Sequence, residues 1–237
     1  MSEWKAKRFW ADAQIAPAGQ GYGIKLDGRD LRTPFKNVLV VPTEALAAEV
    51  AAEWRAQGDI VDPETMPVTR LANSAQEKVA ANPVVVADYL AEYGGSDMLC
   101  YRAAEPDALV ARQAAAWDPL LDWADRALGV RLIRQTGVMP ILQPQASLDR
   151  IAALTHALDP FVLTGFHELV TLSGSWVIGY AALYGEADPD TLWSAAVLDE
   201  TWQAEVWGED EEASALRAAK KAAFETGLRF ARLGSAD

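Results

Sequence analysis

The chain has 237 residues, with 34 Asp or Glu against 21 Lys or Arg, which gives a formal net charge of −13. This acidity argues against nucleic acid or an anionic membrane surface as the main partner, because both attract clustered basic residues. Hydrophobic residues make up 51% and charged residues 23%, the balance of a globular chain that buries a core. The composition favours a basic or amphiphilic protein surface as the partner.

Cys100 is the only cysteine, so no internal disulfide can form, and a reducing compartment is the simpler expectation. Residues 1–10 include basic side chains, but no apolar run of signal-peptide length follows them. We therefore expect a protein of the bacterial cytoplasm. The segment from Leu169 to Tyr184 is uncharged, yet it is shorter than the roughly 20 apolar residues that span a bilayer, so a buried core helix is expected there.

The first part of the chain is predicted to form a small antiparallel sheet. Residues Tyr22–Leu26 alternate as on a half-buried strand, and Asp27-Gly28 is typical of a tight hairpin turn. A helix with Thr43 as its N-cap follows. A stretch containing two prolines then indicates a border, so we predict an N-terminal α+β domain over residues 1–62.

Residues 63–237 are predicted to form a larger, mainly helical domain, so the fold class is α+β. Two short strands are expected inside it, at 98–102 and 130–135, where they could pair with each other. Helical spacing is predicted over residues 69–81, 84–93, 108–128, 147–158, 161–184, 189–207 and 209–233.

The sequence lacks the motifs of common catalytic and metal sites. The glycines at 19–23 do not form a dinucleotide loop, because no helix follows them, and no phosphate-binding loop is present. His167-Glu168 begins like a zinc-protease helix, but Thr171 stands where the second histidine is needed. We therefore predict no catalytic residue, no metal site, no cofactor and no ATP hydrolysis.

The segment Glu186–Glu212 is unusual because it combines ten acidic residues with three tryptophans and holds no Lys or Arg. A single helix is predicted from Pro189 to Trp207, with Gly208 as its stop. Helical spacing places Glu200 inside an apolar stripe and Glu205 near Trp202. The stripe consists of Trp193, Val197, Glu200, Ala204 and Trp207.

Acids beside tryptophan, with no local cation, are typical of a surface that binds an arginine-bearing protein partner. An acid within an apolar stripe also needs a cation or hydrogen-bond donors of its own, so internal salt bridging by Glu200 and Glu205 is an equally open interpretation. The acids at 209–212 are explained by the dipole at the start of the last helix.

Several strings of residues, in order along nearly the whole chain, resemble one family. This family comprises the chaperones that assemble the catalytic head of the F-type ATP synthase and are specific to its α subunit, in mitochondria and α-proteobacteria. The strings are Tyr22–Arg29, Leu31–Pro34, Glu53-Trp54, Met66-Pro67, Asp97–Arg102, Arg112-Gln113, Trp117–Leu121, Gly137–Pro140, Leu198–Glu200, Trp202-Gln203 and Trp207–Asp210.

The resemblance implies a non-catalytic chaperone that binds the free α subunit, shields its β-facing surface and yields it to the β subunit. It also implies that the acidic C-terminal signature is tied to function, which favours Glu200 and Glu205 over the capping acids. Two alternatives stay open: a small-molecule enzyme that uses carboxylates in the interdomain cleft, and an adaptor for an unrelated basic protein. The candidate partner-binding residues are Asp199, Glu200, Trp202, Glu205, Trp207 and Asp210.

Overall fold

The computed structural model describes residues 7–235. The first part of the segment 1–10, from which a signal peptide was judged absent, therefore lies outside the described residues. The chain forms two compact units. The first comprises the residues up to Pro83, the segment Asp159–Gly165 and the residues from Arg229 onward; the second comprises Val84–Leu158 and Phe166–Leu228. The domain border between residues 62 and 63 stays a prediction, and the first compact unit continues past it to Pro83.

The first unit contains the antiparallel sheet that the alternating pattern predicts. Strand β2 pairs with all three other strands. The turn between β2 and β3 is formed by Asp27 and Gly28, whose φ angles of 46° and 83° are those that a tight hairpin turn requires. The strands are β1 (Ala13–Ala18), β2 (Gly21–Leu26), β3 (Arg29–Asp30) and β4 (Val40–Val41).

Helix α1 (Glu44–Arg55) packs its apolar face into the core of this unit. Its N-cap is Thr43, as predicted, and the Thr43 hydroxyl accepts a 3.1 Å hydrogen bond from the backbone N–H of Leu46. Leu46 is fully buried in one cluster with Ile24 of the sheet and Phe230. Burial of this continuous apolar face, more than helix propensity, stabilises the helix.

The rest of the chain is mainly helical, as predicted. A short parallel pair, β5 (Tyr101–Arg102) and β6 (Gln135–Thr136), joins the ends of the two predicted strand regions. The predicted strands are otherwise wrong, because Met98–Cys100 form a turn of 3-10 helix and residues 130–134 form no strand. The helices are α2 (Pro67–Ser74), α3 (Pro83–Glu92), α4 (Asp107–Trp123), α5 (Gln145–His156), α6 (Pro160–Ser173), α7 (Trp176–Tyr184), α8 (Pro189–Ala196), α9 (Leu198–Trp207) and α10 (Glu211–Gly234).

The predictions of single helices over 161–184 and 189–207 are wrong, because each region folds as two helices. The first breaks at Gly174, whose φ of 69° ends α6, and the Ser175 hydroxyl caps α7 by accepting from the N–H of Ile178. The second breaks at Val197, whose φ and ψ of −104° and 18° leave the helical region. The predicted apolar stripe is therefore interrupted, and Glu200 is exposed instead of lying within it.

The uncharged stretch from Leu169 to Tyr184 lies largely in the core, as expected. Trp176 is fully buried, and its indole N–H donates a 2.9 Å hydrogen bond to the Thr155 hydroxyl. No helix within residues 7–235 has both the length and the apolar character needed to cross a membrane.

A fully buried carboxyl, that of Asp97, holds the start of α7. One Asp97 oxygen accepts from the Ser175 hydroxyl at 2.9 Å and from the N–H of Val177 at 3.0 Å, and the other accepts from the N–H of Leu99 at 3.1 Å. Burial raises the pKa of Asp97 to about 6, although these hydrogen bonds act to lower it. Asp97 therefore joins its own turn to the N-terminus of α7, where the helix dipole favours a negative charge.

We predict that Asp97→Ala lowers the free energy of unfolding by about 3 kcal/mol, because three buried donors lose their acceptor. Urea unfolding at pH 7 measures this loss. The matched control is Asp149→Ala on α5, which removes a carboxyl that is exposed and accepts from the Gln145 amide. The control should change stability by less than about 0.5 kcal/mol. An equal effect of the two substitutions would contradict the role given to Asp97.

Candidate functional site

Helix α4 packs along α8 and α9 through two polar contacts that run from the core towards the surface. The indole N–H of Trp117, which is fully buried, donates a 2.8 Å hydrogen bond to the Ala195 carbonyl on α8. The amide nitrogen of buried Gln113 donates at 2.8 Å to Asp199 on α9, and its oxygen accepts from the N–H of Ala103 at 2.8 Å. Asp199, a candidate partner-binding residue, thus fixes the position of a buried glutamine.

A third contact, at the surface, joins Arg112 of α4 to Glu205 of α9. The guanidinium donates two hydrogen bonds to the carboxylate, at 2.6 and 2.9 Å. Its carbon lies 5.9 Å from the ring centroid of Trp202, so the cation also stacks over that indole. The pairing with Arg112 lowers the pKa of the Glu205 carboxyl. Solvent screens a pair this exposed, so its contribution to folding is small.

The outer face of α9 carries the exposed candidates. This face is defined by Glu200, Gln203, Val206 and Trp207, all of which are exposed. The Trp207 side chain is 78% exposed at the end of the helix, next to Gly208 with its φ of 98°. Within residues 7–235, Glu200 has neither a hydrogen bond nor an ion pair for its carboxylate. Exposed large apolar side chains next to an unpaired charge are typical of a binding surface.

The structure separates the ten acids of Glu186–Glu212 into those with a partner and those without. Asp210, another candidate, caps α10 by accepting a 2.8 Å hydrogen bond from the N–H of Ala213. Glu211 and Glu212 lie in the first turn of the same helix, where its dipole favours acids. Besides Glu211 and Glu212, only Glu186 and Glu200 have a carboxylate with no hydrogen-bond or ion-pair partner among the described residues. The acids with one are Asp188, Asp190, Asp199, Glu205, Glu209 and Asp210.

Helices α4, α8 and α9 also line a groove of about 810 Å³. Small side chains, including those of Ala115, Ala116 and Ala195, lie along it, and Arg112 and Glu186 are among its charged lining residues. Within residues 7–235, no group of three or more His, Cys, Asp or Glu is placed to hold a metal ion. The groove and the outer face of α9 each combine apolar side chains with a carboxylate that has no partner in the described chain, which is the chemistry of a binding surface.

The internal partners of the candidate residues could not be predicted from the sequence. The strings at 112–121 and 198–210 resemble one family, but no spacing rule shows that they contact each other, as Gln113 with Asp199 and Arg112 with Glu205 do. The available signal was indirect: a segment with ten acids and no cation requires cations from elsewhere, and Arg112 lies in one of the strings. Of the six candidates, the structure brings Asp199, Trp202 and Glu205 against α4, and leaves Glu200 and Trp207 facing outward.

Comparisons with known proteins agree with this architecture. The family model described as ATP12 chaperone protein matches residues 7–125, half of the chain. The mitochondrial protein atp12 of Schizosaccharomyces pombe is 25% identical over an alignment of 219 residues that covers 87% of this chain and 75% of that protein.

Solved structures are similar over nearly the full length. The crystal structure of Atp12 from Paracoccus denitrificans has a TM-score of 0.95 and 48% identity, and covers 98% of this chain and 100% of that one. A lysine-for-aspartate variant of Atp12p from the same organism has a TM-score of 0.95 and 47% identity, over 99% and 100% of the chains. The Atu1473 protein of Agrobacterium tumefaciens has a TM-score of 0.92 and 41% identity, over 97% and 86%. The chain therefore belongs to the ATP12 family of chaperones for ATP synthase assembly.

Proposed function

We propose that this chain binds the free α subunit of the F-type ATP synthase and shields its β-facing surface until the β subunit replaces it. The observation that carries the proposal is the outer face of α9, where the carboxylate of Glu200 has no partner within residues 7–235 and the Trp207 indole is exposed. The net charge of −13 supports a client with a basic surface. We further propose that the chain acts in the bacterial cytoplasm.

The mechanism requires only competition between two binding partners. An α subunit that awaits assembly exposes apolar and arginine-bearing surface that the β subunit normally covers. A chaperone that presents an indole and a carboxylate offers the same chemistry as β, so it protects this surface from aggregation. Release then follows when β binds more strongly, and this chain has no need of ATP hydrolysis or of a cofactor.

The candidates divide into contact and positioning residues under this proposal. Glu200 and Trp207 contact the client directly, because their side chains face outward. Asp199 positions α9 through Gln113, and Asp210 positions the start of α10. Glu205 and Trp202 have both roles. In the free chain they hold Arg112 in place, and in the complex a client cation can compete with Arg112 for the Glu205 carboxylate.

We predict that Glu200→Lys keeps the melting temperature of the wild-type chain but reduces capture of the α subunit at least about tenfold. The fold is retained because the Glu200 carboxylate has no internal partner in the described part of the chain, and binding is lost because attraction becomes repulsion. The measurement pairs thermal unfolding with capture of co-expressed α subunit on the same preparations.

The control for this substitution is Glu211→Lys, which makes the same charge change at an exposed position in the first turn of α10. It should leave capture close to the wild-type level. Wild-type capture by Glu200→Lys would place the interface elsewhere, and parallel loss of folding and capture would make Glu200 a structural residue.

A charge exchange separates the two roles of Glu205. We predict that Glu205→Arg abolishes capture of the α subunit, and that the double variant Arg112→Glu with Glu205→Arg restores the internal ion pair but not the capture. The reason is that the exchanged pair still stabilises the contact between α4 and α9, whereas the client now meets an arginine in place of a carboxylate. Wild-type capture by the double variant would show that Glu205 acts only by positioning α9.

A further inference from the structure

The groove lined by α4, α8 and α9 is wide because small side chains form its floor, the base on which a ligand would pack. Ala115, Ala116 and Ala195 line it, and each contributes a single methyl group. Ala195 is held in place by buried Trp117, whose indole N–H donates to the Ala195 carbonyl. A preformed apolar surface with this much room, about 810 Å³, fits a bulky apolar side chain.

Pro119 leaves one backbone carbonyl of α4, that of a residue lining the same groove, without its usual helical donor. It lies inside α4 and lines the groove together with Ala115, four residues earlier. Because proline has no backbone N–H, the carbonyl of Ala115 does not receive the usual hydrogen bond from the residue four positions on. A peptide N–H or a donor side chain in the groove can take the place of that missing donor.

In the free chain, the unpaired charge of the groove is negative. Its one arginine, Arg112, is bound by Glu205, and its Asp190 is bound by Lys221 at 2.5 Å. Glu186 is the lining acid that remains, since it is exposed and its carboxylate has no partner among residues 7–235. Such a carboxylate beside an apolar floor selects an apolar segment that also carries a cation.

We infer that the groove binds a segment of the client in which a bulky apolar side chain stands next to a lysine or arginine. The apolar side chain packs on the alanine floor, the cation meets Glu186, and an N–H of the segment donates to the Ala115 carbonyl. The inference rests on the proposed function, because the client is the α subunit. It adds a second contact area to the outer face of α9 and states which client chemistry that area selects.

Filling the groove tests its use directly. Ala115→Trp places an indole where the client side chain would lie, and the position is exposed on a helix, so the fold should persist. We expect it to reduce capture of co-expressed α subunit at least about tenfold. The matched control is Ala219→Trp, the same change at an exposed alanine of α10 outside the groove lining, which should leave capture unchanged.

A thiol footprint provides a second readout that does not depend on the tryptophan variant folding. Ser194→Cys puts a thiol on an exposed lining position, and Cys100 does not compete for reagent because it is fully buried and burial raises its pKa to about 12. We expect a maleimide to label the introduced thiol in the free chaperone and to label it at least about tenfold more slowly in the complex with the α subunit. Ala219→Cys should be labelled at the same rate in both states.

The outcomes distinguish the groove from the proposed function. If the wild-type chain captures α, but Ala115→Trp also captures it fully and the Ser194→Cys thiol stays reactive in the complex, the groove inference is overturned while the client assignment stands. If the wild-type chain captures no α subunit, both fail together. Protection that rises with chaperone concentration in the absence of client would assign the groove to a second copy of this chain and would likewise overturn the inference.

Discussion

The packing of α4 against α8 and α9 is the interaction on which the candidate site depends. It begins in the core with the hydrogen bond from Trp117 to the Ala195 carbonyl, continues through Gln113 and Asp199, and ends at the surface with Arg112 and Glu205. The buried hydrogen bond matters more to folding than the exposed ion pair, because a donor left unpaired in the core costs about 1–3 kcal/mol. The exposed ion pair contributes little to folding, and is the contact that a client can most easily replace.

Under the proposed function, this change from buried to exposed contacts lets one helix interface serve both structure and binding. The inner hydrogen bonds fix the spacing of the helices and hence the shape of the groove, while they leave the outer face of α9 in solvent. Glu200 and Trp207 can face a client because Asp199, one position before Glu200, is held from within by Gln113. A rigid scaffold under an exposed surface lowers the entropic cost of binding, since the side chains are already placed.

Local features of the fold could be predicted from the sequence, whereas features set by distant contacts could not. The Asp27-Gly28 turn and the Thr43 cap depend on residues a few positions apart, and both are confirmed. The break at Gly174 has a local signal, a glycine followed by the Ser175 cap, but the helical spacing on both sides concealed it. The break at Val197 has neither a glycine nor a capping side chain, and helical spacing continues across it. The ion pair between Arg112 and Glu205 joins residues 93 positions apart, and no spacing rule connects them.

In the candidate site, too, local sequence features were predictable and contacts between distant residues were not. Composition and the family strings identified the acidic segment and set the capping acids at 209–212 apart, but they could not tell which of the other acids pair internally. Three-dimensional contacts separate the acids that cap or pair internally from Glu186 and Glu200, whose carboxylates lack partners within residues 7–235. The distinction changes the functional interpretation, because Glu186 attracts notice only once it lines a groove.

The central claim is that this chain binds the α subunit only while α is free of its partner. Capture by the purified chain of isolated α subunit, isolated β subunit and the assembled catalytic head, measured side by side, tests the claim most directly. We expect capture of isolated α alone, because in the proposed mechanism the assembled head already covers the surface that the chaperone binds. Equal capture of β, or no capture of α, would contradict it.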